Sequence, residues 1–256
     1  MISVLRTSLL VVFATVLAAC VTEPLHPLDV DQAVTARVAA GVEYLRRDDP
    51  SEARRHFTRA LSLDPQSPAA NNAMALLYGY EGDAENEERY YQRALDADPA
   101  FAPALNNYGA LLFSQARYQE AAGKLERAAA VPDYQGRSGA LSNLGLCYQA
   151  LAQPDQARQA FVRALRLHPG MAVPSRELAR IDYQQELYQA GWRHFQRYSE
   201  GARVLDADSL WLGIRLASAV AQPERLASFE LALQSRYPQS DEYRQWQQWK
   251  HNQERW

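Results

Sequence analysis

The stretch SGALSNLGLCYQALAQPDQARQAFVRALRLHP, residues 138–169, decides the fold of this 256-residue chain. Its markers are a small residue, an aromatic residue, two alanines that flank a Phe, and a closing proline: Gly145, Tyr148, Ala157, Phe161, Ala164 and Pro169. The same types return at identical internal spacing in an earlier copy: Gly41, Tyr44, Ala53, Phe57, Ala60 and Pro65. A fixed period of about 34 residues is typical of helix-turn-helix units that must stack to bury their apolar faces.

The same period runs through the rest of the chain. Four alanine markers recur at intervals of 34, 34 and 36 residues: Ala60, Ala94, Ala128 and Ala164. Units therefore start near residues 34, 68, 102, 138, 172 and 206. The two extra residues fall in the stretch DYQG, residues 133–136, whose turn-forming composition predicts a longer surface loop. The second unit departs from the pattern, because Glu87 stands where the first, third and fourth units carry Ala.

This pattern resembles the tetratricopeptide (TPR) repeat, a unit of two packed helices. In such a unit the small residue, here Gly145, lets the two helices approach closely, and the proline, here Pro169, ends the second helix. We therefore predict an all-α fold: a right-handed α-solenoid of about six TPR units over residues 34–239. Stacks of this kind bind other proteins, so the resemblance implies a protein partner.

Composition and motifs argue against catalysis and against nucleic-acid binding. The net charge is -3 with both signs interspersed, whereas a nucleic-acid surface needs a basic stripe. The five histidines are scattered, and none lies three or four residues from another His or Cys, so no metal-site spacing occurs. The sequence contains no phosphate-binding glycine loop, nucleophile elbow or metalloprotease motif. We predict a protein that is not an enzyme, with no cofactor, no metal ion and no nucleic-acid partner.

Residues 1–19 are predicted to be a lipoprotein signal peptide. Arg6 precedes an apolar run, residues 9–17, that is too short to span a bilayer as a stable helix. The run leads into LAAC, which looks like the bacterial lipobox, where signal peptidase II cleaves before a diacylated Cys. By this resemblance Cys20 becomes the lipidated N-terminus of the mature chain, a candidate for palmitate. The alternative is an ordinary signal peptide in which Cys20 is incidental.

Residues 20–33 are predicted to hold the lipidated Cys and a short extended tether. Val21 stands where such lipoproteins usually carry Asp when they are retained at the inner membrane. The resemblance therefore implies the outer membrane, with the protein facing the periplasm. Several acyl chains would hold it there firmly, since burial of each CH₂ contributes roughly 0.8 kcal/mol. The mature chain then has one thiol, Cys147, which we expect to be a packed apolar side chain.

The first helices of the units are predicted to line a concave groove that binds a protein segment. Amides in this groove can pair with a peptide backbone, while apolar side chains form pockets. The alternative for Leu76 and Leu146 is packing between neighbouring first helices. The candidate groove residues are Asn72, Leu76, Tyr80, Asn106, Asn107, Ala110, Phe113, Asn143 and Leu146.

Residues 240–256 are predicted to form a capping helix over the last unit, which every solenoid requires. Ser240 followed by two acidic residues is a favourable helix start. Aromatic residues then recur at roughly three-residue steps, including Trp246, Trp249 and the final Trp256. The alternative is that these side chains form an exposed aromatic patch for a partner.

The lipobox, the short tether and six TPR units in about 250 residues together resemble the type IV pilus biogenesis and stability lipoproteins of the PilF/PilW family. The residues that carry the resemblance are Cys20, the run NNYG at 106–109 and the run NLG at 143–145. Membership would imply a pilotin, which binds secretin subunits and promotes their outer-membrane localisation and multimerisation. Two alternatives remain: a general periplasmic adaptor for cell-wall hydrolases or proteases, and a subunit of the outer-membrane protein assembly machinery.

Overall fold

The computed structural model describes residues 27–253, which form thirteen α-helices with no strand among them. The helices are α1 Pro27–Arg46, α2 Pro50–Leu63, α3 Pro68–Tyr80, α4 Ala84–Ala97, α5 Ala102–Ser114, α6 Tyr118–Ala130, α7 Arg137–Ala150, α8 Pro154–Leu167, α9 Ala172–Gln184, α10 Tyr188–Gly201, α11 Ala207–Ala219, α12 Pro223–Arg236 and α13 Asp241–Gln253. None of these helices is both long enough and apolar enough to cross a membrane.

Consecutive helices pair into six units, α1/α2 through α11/α12, and the all-α TPR solenoid predicted from the sequence is confirmed. Each first helix also packs against the first helix of the next unit, from α1 on α3 to α11 on α13. Successive second helices make no comparable contact within residues 27–253. The first helices are therefore the more closely spaced row, and they line the concave side of the stack.

The two helices of a unit meet where a glycine faces a large side chain. A Cβ atom placed on Gly41 would lie 2.3 Å from the ring of Phe57, and one on Gly145 would lie 2.4 Å from the ring of Phe161. Both rings are fully buried. The close approach expected at these glycines is thus present, with the Phe of the second helix as the neighbour that fills the space.

Each unit turns between its helices through one residue with positive φ. These residues are Asp48, Gly82, Ala116, Ala152, Glu186 and Ala221. The amide that follows donates back across the turn to the first helix, as Asp83 N does to Tyr78 O at 2.9 Å. The left-handed conformation costs a non-glycine residue roughly 1–2 kcal/mol. The five turns without a glycine at this position are therefore held by the packing of the two helices rather than by local preference.

The start of the chain differs from the predicted tether of residues 20–33. Helix α1 already begins at Pro27, because proline is favourable at the first position of a helix and Asp29 lies in the first turn. Val34, the eighth residue of α1, is buried against Ala60 and Ala70, which extends the core into the first half of this helix. The predicted signal peptide, Cys20 and the rest of the tether lie outside the described residues.

Helix α13 packs against α11 at the end of the stack. Ser240 caps it by accepting a hydrogen bond from Tyr243 N at 3.1 Å. Trp246 is buried, and its indole N–H donates to Glu230 of α12 at 2.9 Å. Trp249 packs edge-on against Trp211, with ring centroids 5.9 Å apart. Trp256 lies outside the described residues.

Candidate protein-binding groove

Four asparagine side chains join the first helices of three successive units. Asn107 Nδ2 donates to Asn72 Oδ1 at 3.1 Å, which links α5 to α3. Asn106 Nδ2 donates to Asn107 Oδ1 at 3.2 Å, and Asn143 Nδ2 of α7 donates to Asn106 Oδ1 at 3.5 Å. We call these four residues the amide ladder. It runs along the concave side, because only first helices contribute to it.

The amide ladder retains hydrogen-bonding capacity. Each Asn carries two N–H donors, and the ladder engages Asn106, Asn107 and Asn143 through one nitrogen contact each. Asn72 is 9% exposed, and its Nδ2 donates to no partner within residues 27–253. Unused N–H groups on one face can donate hydrogen bonds to the carbonyl oxygens of an extended chain.

A pocket of about 350 Å³ opens beside the ladder between the second and third units. We call it the unit-two pocket. Helices α3, α4 and α5 each contribute to its wall, and Asn107 belongs to both the pocket and the ladder. The lining residues are Leu76, Gly79, Glu87, Tyr91, Asn107, Ala110, Leu111 and Ser114.

Three of the groove residues predicted from the sequence belong to neither the amide ladder nor the unit-two pocket, and each has another contact. Tyr80 is half exposed and its hydroxyl donates to Asp48 in the turn of the first unit. The Phe113 ring packs on Tyr118 at a centroid distance of 5.2 Å. Leu146 packs on the core between the fourth and fifth units. The ladder and the pocket therefore contain Asn72, Leu76, Asn106, Asn107, Ala110 and Asn143, whereas Leu146 packs between units, as its alternative predicts.

The sequence patterns did not point to five residues of the pocket: Gly79, Glu87, Tyr91, Leu111 and Ser114. The departure of Glu87 from the alanine pattern was the available indication. Burial raises the pKa of the Glu87 carboxyl above its ordinary value, and a hydrogen bond from Tyr91 partly opposes this shift. The pocket therefore contains a carboxyl group whose ionised form is incompletely solvated.

Charged side chains replace amides along the first helices of the last units. Gln149 Nε2 donates to Glu177 Oε2 at 3.1 Å, and Arg180 donates to both carboxylate oxygens of Asp208 at 3.1 and 2.6 Å. Arg215 lies over the rings of Tyr183 and Trp211, 4.7 and 5.0 Å from their centroids. Arg180 is thus already neutralised, and it is not available to clamp a ligand carboxylate.

No three His, Cys, Asp or Glu side chains within residues 27–253 converge in an arrangement that could hold a metal ion. Stacked helix pairs joined by polar contacts between first helices define a protein-binding solenoid of the TPR class. Two models of the tetratricopeptide repeat match the chain, at residues 68–101 and 138–171.

Comparison of the whole chain identifies its family. The chain is 33% identical over 247 residues to the type IV pilus assembly protein PilF of Pseudomonas aeruginosa. The aligned region covers 94% of this chain and 98% of the relative. A solved structure of Pseudomonas aeruginosa PilF superimposes with a TM-score of 0.80 at 33% identity, over 85% of this chain and 98% of that one. The structure of PilW, described as a widely conserved type IV pilus biogenesis factor, gives a TM-score of 0.68 at 27% identity, over 84% and 98%. The chain belongs to the PilF family of type IV pilus biogenesis TPR proteins.

Proposed function

We propose that this protein is the pilotin of a type IV pilus system, an outer-membrane lipoprotein that binds secretin subunits and promotes their localisation and multimerisation. The observation that carries the proposal is the correspondence with PilF, a type IV pilus assembly protein, over nearly the full length of both chains. The lipobox at Cys20 supports the membrane location, and the TPR fold supports a protein as the client.

The client segment binds along the amide ladder. An extended or helical segment presents carbonyl oxygens to the free N–H groups of the ladder, and one of its side chains enters the unit-two pocket. Ala110 is exposed at this place, so a bound segment gains contact without displacing a core residue. Binding needs no bond to form or break, so the protein acts as a scaffold rather than as an enzyme.

The lipid anchor explains how binding of secretin subunits would promote their multimerisation. Fixing the solenoid to the membrane raises the concentration of bound subunits at the surface where the ring forms, as linkage raises any effective concentration. The groove also covers a client segment that would otherwise pair with wrong partners. Subunits released side by side at the membrane then multimerise.

The test is a groove variant, Asn107→Ala with Ala110→Trp, expressed at the wild-type level. The first change breaks the ladder, and the second fills the unit-two pocket with an indole from an exposed position. Leaving one amide partner unpaired costs about 1–3 kcal/mol, so client affinity should fall about tenfold or more. The measurement is the fraction of secretin recovered as heat- and detergent-resistant multimer, which should fall sharply.

The matched control is Ala227→Trp, at an exposed alanine of the second helix α12. It adds the same indole on the convex side and should leave the multimers unchanged. Normal multimers in the groove variant would place the binding site elsewhere on the solenoid. Normal multimers after deletion of the whole gene would contradict the pilotin proposal and favour a general periplasmic adaptor.

A further inference from the structure

The second unit inverts the size pattern of the first, third, fourth and fifth units at one place. Where it has Gly79 on its first helix, the first, third, fourth and fifth units carry larger residues: Leu45, Phe113, Gln149 and Tyr183. Where it has Glu87 on its second helix, those units carry small ones: Ala53, Ala121, Ala157 and Gly191. A Cβ atom on Gly79 would lie 2.7 Å from the carboxylate carbon of Glu87, so the acidic side chain extends across the glycine toward the first helices.

A carboxylate is unfavourable in this space, because burial without a cationic partner disfavours its charged form. Two acidic residues near Glu87 in the sequence form salt bridges: Glu81 with Arg54, and Glu88 with Arg117 at 2.9 Å. No Lys, Arg or His nitrogen within residues 27–253 lies within 4.0 Å of the Glu87 carboxylate, although the chain has many arginines. Glu87 therefore occupies the pocket as a half-buried charge that lacks a counter-ion.

The rest of the wall completes a site for a basic side chain. Leu76 and Leu111 offer apolar surface for the methylene stem of Lys or Arg, whose charged end extends past such surface toward polar groups. The Ser114 hydroxyl and the Asn107 amide oxygen can accept further N–H bonds. A volume of about 350 Å³ admits one long side chain. Because Asn107 is shared with the ladder, a segment on the ladder has a side chain within reach of the pocket.

We propose that the unit-two pocket is a specificity pocket for one Lys or Arg side chain of the client, with Glu87 as its counter-ion. This inference rests on the proposed function and deepens it: of the segments that fit the amide ladder, the pocket selects those with a basic residue at the matching position. A charge-assisted hydrogen bond at a partly buried carboxylate discriminates strongly against a neutral side chain.

The experiment uses the full mature chain and overlapping fluorescent peptides that cover the periplasmic part of the secretin from the same organism. The peptide that binds most tightly is then remade with each Lys or Arg replaced by Met, which keeps length and removes charge. One such replacement should weaken binding to the wild-type protein about tenfold or more. The same replacement should have little further effect on binding to Glu87→Gln, because the charge contact is already absent from that variant.

Glu85→Gln is the matched control, since Glu85 is exposed on the same helix and should behave as wild type. If Glu87 only filled space between the helices, Glu87→Gln should lower the melting temperature. If Glu87 is an uncompensated charge, Glu87→Gln should leave the melting temperature unchanged or raise it.

Exchanging the two charges should recover binding: Glu87→Lys should bind a peptide that carries an acidic residue in place of the basic one. If the wild-type protein binds the secretin peptide equally tightly after every Lys and Arg is replaced by Met, the specificity pocket alone is overturned. Failure of every secretin peptide to bind the wild type overturns the proposed function itself.

Discussion

At the scale of single residues, one contact repeats between the helices of a unit. A glycine on the first helix faces Phe57 in the first unit, Leu125 in the third and Phe161 in the fourth. The sequence predicts the close approach, because the glycine and the large residue keep their spacing. It does not predict which side chain fills the gap, since Ala and Phe of the second helix lie one helical turn apart and share a face. Only the packed structure assigns the contact to the ring.

Gly145→Leu should destabilise the fourth unit, because its Cβ atom alone would already overlap the Phe161 ring at 2.4 Å. Overpacking of a well-packed core costs about 1–3 kcal/mol or more. The measurement is thermal unfolding followed by circular dichroism, where a clear fall in the melting temperature is expected. Gly139→Leu on the same helix is the control, because no atom lies within 4 Å of a Cβ placed there. An equal fall for both variants would contradict the assigned contact.

At the scale of helices, the period predicts which face of each helix is inward, but it says little about helix ends. Asn72, Asn107 and Asn143 lie mid-helix, and they meet as the repeat requires. Tyr80 is the last residue of its helix, so its nearest neighbour is a turn of the adjoining unit. The unit-two pocket was also beyond prediction, because it depends on the direction that Glu87 takes across Gly79.

Helix α13 should hold the last unit through Trp246. Trp246→Ala removes a buried ring and the hydrogen bond to Glu230, a loss of about 3–5 kcal/mol for a large core aromatic. Because solenoid units contact only their neighbours, amide hydrogen exchange should accelerate in α11–α13 and stay unchanged in α3–α6. Gln247→Ala, at an exposed position of the same helix, should change neither region. Faster exchange along the whole chain would show that the stack unfolds as one unit.

At the scale of the whole molecule, the amide ladder begins one unit from the end of the solenoid to which the predicted anchor is attached. Helix α1 begins at Pro27, so six residues, 21–26, separate Cys20 from the solenoid. Six residues span at most about 20 Å even when fully extended, at roughly 3.3–3.6 Å each. The amide ladder joins the second, third and fourth of the six units, so it begins one unit away from that end. In the proposed arrangement, with the lipid on Cys20, a client bound to the ladder would be held on the side of the stack that faces the membrane.

Cys20→Ser should therefore separate binding from delivery. The variant should lose palmitate labelling and leave the outer-membrane fraction, because the chain then has no acyl group to bury. Its groove is unchanged, so the purified protein should bind secretin peptides as the wild type does, while secretin multimers in cells decrease. Cys147→Ala is the matched control: that thiol is fully buried and burial raises its pKa to about 11, so it is not a competing acylation site. Equal labelling of wild type and Cys20→Ser would contradict the lipobox, and normal multimers without the label would contradict the role of the anchor in delivery.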